Sequence, residues 1–385
     1  MNTAINEITP AQAQALQAQG ARLIDVREPD EHALGMAQGA LPVPRAQLEQ
    51  SPADYHATPG EPLLLICAGG NRSMLAARAL AAMGYTRLYS VSGGFNRWQA
   101  EGLPVQGRNE DSDFLERYSR HLRLPQVGLA GQKKIEQARV LVVGAGGLGS
   151  PAAYYLAAAG IGFMRLGDDD RVDLSNLQRQ ILHADDRIGQ WKVDSARQTL
   201  SALNPRVRIE TQVVRLNAEN IERLIGDVDV VIDGADNFPT RYLLSDACVH
   251  LGKPMVYGAV HRFEGQVSVF DAGRQRGVAP CYRCLFPEAP SAAEAPNCSE
   301  AGVLGVLPGI IGMLQATETL KLILGIGQPL TGRLLHVETL GMQFRETRLR
   351  PDPDCRVCRP GQMFSGYQEL AQVCAADVSD QNGGG

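Results

Sequence analysis

A strand-forming run at 139–143 opens straight into Gly144-Ala145-Gly146-Gly147-Leu148-Gly149, and helix-forming residues follow over 148–159. Four glycines fall within six residues at that junction. Glycine lets the backbone come close to a bound phosphate, and the helix N-terminus behind the loop favours an anion. By itself the pattern suits a dinucleotide as well as a nucleoside triphosphate. The next strand, 163–166, ends in Gly167-Asp168-Asp169-Asp170, where a carboxylate is placed to hold a ribose hydroxyl. To this point an NAD-dependent dehydrogenase is one reading.

The cations that follow favour a triphosphate. Ser175-Asn176-Leu177-Gln178-Arg179-Gln180 and then Lys192 put an amide, an arginine and a lysine just beyond the acidic strand end. An NAD site has no use for that much positive charge. ATP does, because arginine and lysine offset the charge that develops as pyrophosphate leaves. Asp233-Gly234-Ala235-Asp236-Asn237 ends a further strand, with a carboxylate suited to magnesium beside the phosphates. A solvated charged surface is the blander reading, but these residues cluster at strand C-termini, where open α/β sheets bind ligands. Helices are expected at 192–203, 238–251 and 304–324, and strands at 206–214, 229–232, 265–271 and, last, 334–338. The alternation predicts a mostly parallel sheet covered on both faces.

A second strand–loop–helix unit lies nearer the N-terminus. The apolar run 63–66 meets Cys67-Ala68-Gly69-Gly70-Asn71-Arg72-Ser73, and an Ala/Leu-rich helix follows at 74–83. Inward-pointing loop amides, a helix N-terminus and the Arg72 charge all favour thiolate over thiol. The same loop can hold the anionic outer sulfur of a persulfide. A lone cysteine is more often buried and inert. Two glycines and an arginine within five residues argue for the nucleophile.

The blocks around Cys67 identify this module by resemblance. Leu23-Ile24-Asp25-Val26-Arg27-Glu28, the Cys67 loop, then Val91-Ser92-Gly93-Gly94-Phe95-Asn96-Arg97-Trp98 and Gly102-Leu103-Pro104-Val105 resemble the rhodanese family of sulfurtransferases over about residues 8–106. The resemblance implies a persulfide on Cys67. One departure is Gly35-Met36-Ala37, where the family usually has Gly-His-Ile. From about residue 114 to 360 the chain resembles the ubiquitin-activating superfamily, closest to its bacterial adenylyltransferases for sulfur-carrier proteins of the molybdopterin-synthase and thiamine types. That resemblance implies ribose binding by Asp168, phosphate binding by Asn176, Arg179 and Lys192, and magnesium on Asp236 beside Asn237. Arg117-Tyr118-Ser119-Arg120 resembles the N-terminal arm of that family. There the second arginine enters the partner subunit's ATP site, so the resemblance gives Arg120 that role and implies a homodimer.

Seven of the eight cysteines lie in the second half. Cys281-Tyr282-Arg283-Cys284 and Cys355-Arg356-Val357-Cys358 offer four thiolates from two tight knuckles. Four thiolates complete a tetrahedral zinc site with no open position, which makes it structural. A redox role needs one pair, not two. Cys298, in Pro296-Asn297-Cys298-Ser299-Glu300, is either a second thiol in transfer, a role that varies within the superfamily, or a spectator. Cys248 reads as core and Cys374 as part of the tail. The terminal Asn382-Gly383-Gly384-Gly385 echoes the glycine pair that ends sulfur carriers, although a flexible end explains it as well.

The expected organisation is a rhodanese-like α/β domain at 1–107, a polar linker at 108–113, a Rossmann-like, doubly wound adenylyltransferase domain with structural zinc at 114–360, and a tail at 361–385. At 385 residues the chain suits two domains, and 44% hydrophobic content marks it as globular. A net charge of −5 gives no support to nucleic-acid binding. No apolar run of membrane-spanning length and no signal peptide are read in the sequence, and paired Cys-x-x-Cys motifs without an export signal suit a reducing cytoplasm. The chemistry coheres as one pathway. ATP and magnesium activate the C-terminal glycine of a ubiquitin-like sulfur carrier, such as the small subunit of molybdopterin synthase. Cys67, loaded by a cysteine desulfurase or thiosulfate, then delivers sulfur to give a thiocarboxylate. Thiamine, tRNA thiolation and cysteine synthesis are alternative pathways. A dehydrogenase and a non-catalytic carrier scaffold are alternatives of other classes.

Overall fold

The computed structural model describes residues 5–107, 112–289 and 302–367. The chain divides into two compact units, 1–130 and 131–385.

The first unit is built on five parallel strands in the order β1-β6-β5-β2-β4. These are β1 (Asn6–Ile8), β2 (Arg22–Asp25), β4 (Leu41–Pro42), β5 (Leu63–Ile66) and β6 (Leu88–Val91). The strands β3 (Met36–Ala37) and β7 (Val105–Gln106) form a separate antiparallel pair. An uninterrupted apolar strand such as β5 is needed because both sheet faces are covered. Leu63 and Leu65 enter one core with Ala76, Ala77 and Leu80 of the helix Asn71–Ala82. Leu64 and Ile66 enter the opposite core with Ala13, Phe95 and Trp98. The departure at Gly35-Met36-Ala37 falls on β3, away from the strand that carries Cys67. The helices Ser112–Arg117 and Ser119–Leu122 belong to this unit, with Phe114, Tyr118 and Leu122 packed beside Leu34.

The second unit is an eight-stranded sheet in the order β10-β9-β8-β11-β12-β13-β14-β15. Its strands are β8 (Arg139–Val143), β9 (Phe163–Gly167), β10 (Arg208–Gln212), β11 (Val230–Asp233), β12 (Met255–His261), β13 (Glu264–Phe270), β14 (Arg333–Glu338) and β15 (Gln343–Arg348). The first five run parallel, and β13 to β15 continue antiparallel. The strand order reverses between β8 and β11, which places a ligand crevice at their C-terminal ends. The helices Ile221–Ile225 and Phe238–Leu251 pack on one core with Leu141, Val143 and Val231. The helix Gly149–Ala159 packs against Val306–Leu324, which lies along β11, β12 and β13.

Three expectations are corrected here. The strand at 334–338 is not the last, because β15 pairs with β14 beyond it; its Gln343-Phe344-Arg345-Glu346-Thr347-Arg348 run is exposed at every position and lacks the apolar alternation that marks a half-buried strand. The helix Val306–Leu324 does reach the length and hydropathy of a membrane span. It is instead a core helix, with Leu307, Ile311, Gln315, Ala316, Glu318 and Thr319 buried, and polar Gln315 and Glu318 bonded inside the unit. Finally, residues 361–367, read as part of the tail, are held to the second unit. Phe364 stacks on His250 at 3.8 Å between ring centres, and the Tyr367 hydroxyl donates to Glu222 at 2.9 Å.

Candidate active sites: a cysteine cradle and a nucleotide crevice

Cys67 follows β5 directly, at the C-terminal edge of the parallel sheet. Its loop turns at Gly70, in the left-handed region at φ 99°, and enters the helix Asn71–Ala82. The Gly70 amide donates to Cys67 Sγ at 3.1 Å, and Ser73 Oγ lies 3.5 Å from the same sulfur. Ser73 is itself fixed, donating to the Gly70 carbonyl at 2.9 Å and meeting Ser90 Oγ at 2.9 Å. The loop rests on the second glycine pair. Phe95 N donates to Cys67 O at 2.7 Å and Asn96 N to Ala68 O at 3.0 Å. A Cβ on Gly94 would lie 2.2 Å from Cys67 O, so only glycine fits there. The Val91-Ser92-Gly93-Gly94 block thus supports the cysteine loop from below.

Arg72 departs from the simple expectation. Its guanidinium makes a two-pronged ion pair with Glu31, Nη1 to Oε2 at 2.6 Å and Nη2 to Oε1 at 2.7 Å. Its charge is therefore shared with Glu31, a residue without a sequence motif. Nearby, buried Asp25 holds Arg27 at 2.6 Å. Burial alone would raise the Asp25 carboxyl, but hydrogen bonds from His32 and Arg27 hold it below its ordinary value.

In the second unit, the glycine loop and the β11 loop touch. A Cβ on Gly144, itself at φ 88°, would lie 2.6 Å from the Gly234 carbonyl. Each loop is pinned at an alanine. The Ala145 amide donates to Asp168 Oδ2 at 2.7 Å, and His183 Nε2 donates to the Ala145 carbonyl at 2.9 Å. In the β11 loop the Ala235 amide donates to Asp233 Oδ1 at 3.0 Å, and Arg241 Nη2 donates to the Ala235 carbonyl at 2.7 Å. Arg241 and Asp233 form a buried ion pair at 2.8 Å. His183 also meets Ser195 Oγ at 3.0 Å, on the helix Lys192–Leu203 that Lys192 opens. Burial first, then the Lys192 and Arg187 charges, push His183 down to about 4, against the Ala145 carbonyl. The ring is neutral at pH 7, with Nε2–H toward Ala145 and Nδ1 accepting from Ser195.

Asp168 accepts a second amide, from Asp170 at 2.8 Å, and burial raises its carboxyl above the ordinary value. Both of its oxygens serve the backbone of the crevice. Asp170 instead is 61% exposed and accepts from the otherwise buried Lys192 Nζ at 2.7 Å. The sequence pattern places Asp170 among the three carboxylates of this strand end but gives it no role of its own. Arg179 lies beside the loop, its Cγ 3.5 Å from where a Gly147 Cβ would stand, and it donates to the Ser175 carbonyl. Asn176 is half-buried at the end of a 3-10 turn, Leu174–Asn176, that the Asp173 side chain caps. Gly146 and Gly149 complete the loop, with Gly149 opening its helix. Asp236 is exposed after the β11 loop, an oxygen donor at the crevice mouth that suits magnesium. Asn237 has a structural duty, its Oδ1 accepting from Thr240 N at 3.0 Å as the N-cap of Phe238–Leu251. In the first unit, Arg120 is exposed on Ser119–Leu122.

The four second-half thiols converge, although the two pairs lie 74 residues apart in sequence. Cys281 Sγ lies 3.8 Å from Cys284 and 3.6 Å from Cys355, and Cys284 lies 3.4 Å from Cys358. All four sulfurs fall within 4.8 Å of one another and none is in a disulfide. Zinc–sulfur bonds of about 2.3 Å in a tetrahedron put the sulfurs about 3.8 Å apart, so the donor set and spacing suit zinc. Cys248 is core, 2% exposed, and burial pushes its thiol up. Cys298, Cys374 and the terminal glycines lie outside the described residues.

The second unit, which holds both the glycine-loop crevice with Lys192 and, apart from it, the four-cysteine cluster, coincides with a match to the ThiF family over residues 118–357. The chain belongs to the ThiF family. A rhodanese-like domain matches residues 9–101, the part that holds the Cys67 cradle. The sulfur carrier protein adenylyltransferase of Thermus thermophilus is 50% identical over 245 residues, covering 63% of this chain and 90% of that protein. The SAMP-activating enzyme E1 of Haloferax volcanii is 48% identical over 251 residues, covering 65% and 91%. The probable adenylyltransferase/sulfurtransferase MoeZ of Mycobacterium tuberculosis is 48% identical over 263 residues, covering 68% and 66%. In fold, the crystal structure of E. coli MccB with ATP matches 63% of this chain and 74% of its own, with a TM-score of 0.54 and 21% identity. Membership in the ThiF family removes the ground for the dehydrogenase reading.

Proposed function

We propose that this chain activates the C-terminal glycine of a ubiquitin-like sulfur carrier with ATP and then supplies the sulfur itself. The observation that carries the reading is the pairing, on one chain, of a cysteine cradle with a cation-lined crevice at a sheet switch point. A carboxylate is a poor electrophile. Attack of the carrier carboxylate on the α-phosphorus of ATP, with loss of pyrophosphate, gives an acyl-adenylate with AMP as a good leaving group. Lys192, Arg179 and Asn176 bind the phosphates as charge moves to the leaving group. Asp168 holds the ribose, with Asp170 beside it on Lys192. Asp236 holds magnesium, which offsets phosphate charge when bound. Cys281, Cys284, Cys355 and Cys358 hold zinc, which supplies structure and takes no part in the chemistry.

The Cys67 persulfide attacks the adenylate carbonyl and AMP leaves, forming an acyl disulfide. A further thiolate attacks Cys67 Sγ, the sulfur–sulfur bond breaks, the thiocarboxylate leaves with the electron pair, and a disulfide between that thiol and Cys67 remains. Cys298 or an external thiol fills that role. Arg120 reaches the ATP site of a partner subunit in a homodimer, and residues 114–360 act as the adenylating domain behind a linker at 108–113. The reaction is cytoplasmic, with a cysteine desulfurase or thiosulfate as donor and no membrane or nucleic-acid partner. Molybdopterin synthesis is the pathway proposed. Thiamine, tRNA thiolation and cysteine synthesis share the chemistry and differ in the carrier. Mass spectrometry of candidate carriers after incubation with the protein, MgATP and a sulfur source tests the reading. The expected result is replacement of one oxygen by sulfur on one carrier. Failure of every Gly-Gly-ended carrier to support ATP–pyrophosphate exchange refutes it.

A further inference from the structure

Arg72 is the sole side-chain cation in the Cys67 loop, residues 67–73, yet both ends of its guanidinium are taken. Glu31 supplies both acceptors from the short helix Pro29–Ala33 and stands about one quarter exposed. Its Oε2 also accepts the Glu28 amide at 3.2 Å, which fixes the carboxylate in place. Burial alone would raise this carboxyl, but the hydrogen bond from Arg72, helped by the Glu28 amide, holds it below its ordinary value. It is therefore ionised at pH 7. Arg72 lies two residues beyond Gly70, whose amide donates to Cys67 Sγ at 3.1 Å, so the clasp borders the cradle. A cradle that accepts thiosulfate must admit a dianion and release another, sulfite. A cation already neutralised by a fixed carboxylate does little to attract either.

We propose that Glu31 is a specificity-determining residue for sulfur loading: by clasping Arg72 it disfavours small dianionic sulfur donors and favours a protein-bound persulfide. The proposal rests on the sulfurtransferase reading of Cys67. In loading from thiosulfate, the Cys67 thiolate attacks the outer sulfur. The sulfur–sulfur bond of thiosulfate breaks, sulfite leaves with the electron pair, and the persulfide keeps one negative charge. In loading from a desulfurase persulfide, the donor thiolate leaves instead, and no dianion enters the cradle.

Glu31→Gln tests this on the full-length protein. The amide keeps an oxygen for the Glu28 N–H, so the helix cap survives. Freeing one guanidinium charge beside the cradle is expected to lower the thiosulfate KM in thiosulfate:cyanide sulfurtransfer by about tenfold, with kcat nearly constant. Loading by cysteine desulfurase and cysteine should change by less than about twofold, the shift a neutral contact leaves. The gain for thiosulfate should vanish in Glu31→Gln/Arg72→Ala, where no guanidinium remains to be freed. An unchanged or raised thiosulfate KM in Glu31→Gln overturns the proposal and makes Glu31 an orienting residue for Arg72. If Cys67→Ala loads sulfur as well as the parent protein from both donors, the sulfurtransferase reading fails first and takes the proposal with it.

Discussion

Replacing His183 with leucine should change how stability depends on pH. His183 is 7% exposed, donates to the Ala145 carbonyl and accepts from Ser195. Leucine removes both bonds. The Ala145 carbonyl keeps Ser150 Oγ at 3.3 Å, so the cost at pH 7 falls near about 2 kcal/mol, within the range for a buried group losing its partner. The folded ring titrates near 4 and the unfolded ring near 6.5. Between these values the unfolded chain binds the extra proton, so wild-type stability falls as pH drops from 6.5 toward 4. At pH 5 that loss is about 2 kcal/mol. The leucine variant has no such loss, so the gap between the two proteins should close from about 2 kcal/mol at pH 7 to near zero at pH 5. Urea unfolding, followed by Trp191 fluorescence in a Trp98→Phe background, measures this gap. His183→Gln, which keeps a donor toward Ala145, should recover part of the pH 7 stability. A gap that stays constant across this range would show that His183 is not held neutral between the loop and the helix.

The other predictions address the proposed chemistry. Lys192→Ala or Asp236→Ala should abolish carrier-dependent ATP–pyrophosphate exchange and leave thiosulfate sulfurtransfer intact; survival of exchange in both variants refutes the crevice assignment. Zinc should copurify at about one ion per chain, as four thiolates satisfy one tetrahedral ion, and Cys281→Ser should lose it and lower the unfolding temperature of the second unit; metal analysis that finds no zinc in the reduced protein removes this claim. Cys67→Ala should end thiosulfate:cyanide sulfurtransfer and accumulate carrier-adenylate, while added sulfide restores thiocarboxylate by attacking the adenylate directly. Full-rate thiocarboxylate formation from thiosulfate in that variant would move the donor role to Cys298.

The sequence was most legible where one local pattern determines one local structure. The strand at 139–143 and the helices at 192–203 and 238–251 appear with the expected bounds, because periodicity and end signals lie within the segments themselves. The two cysteine knuckles were legible because each is a four-residue motif, and a tetrahedron dictates that they meet. Residues whose meaning is tertiary were not legible. His183, Arg241 and Glu31 act on loops 38, 6 and 41 residues away, and no spacing rule announces such partners. Asp170 looked like one of three equivalent carboxylates until the structure turned Asp168 onto the loop amides and left Asp170 beside Lys192. β15 escaped because a strand exposed on both faces carries no hydrophobic alternation to detect.

That outermost strand has a cost for solubility that its neighbours do not share. Among the described residues β15 is paired on one side only, by β14, so its other side presents a row of open backbone donors and acceptors. Such a border invites a strand from another molecule and seeds precipitation. Its composition opposes that. Arg345, Glu346 and Arg348 place ionised groups on both faces of a six-residue strand, leaving Phe344 as its one large apolar side chain. An incoming chain would have to strip water from those ions to extend the ladder. The charges that hid this strand from a hydrophobicity reading are thus its protection against uncontrolled growth of the sheet.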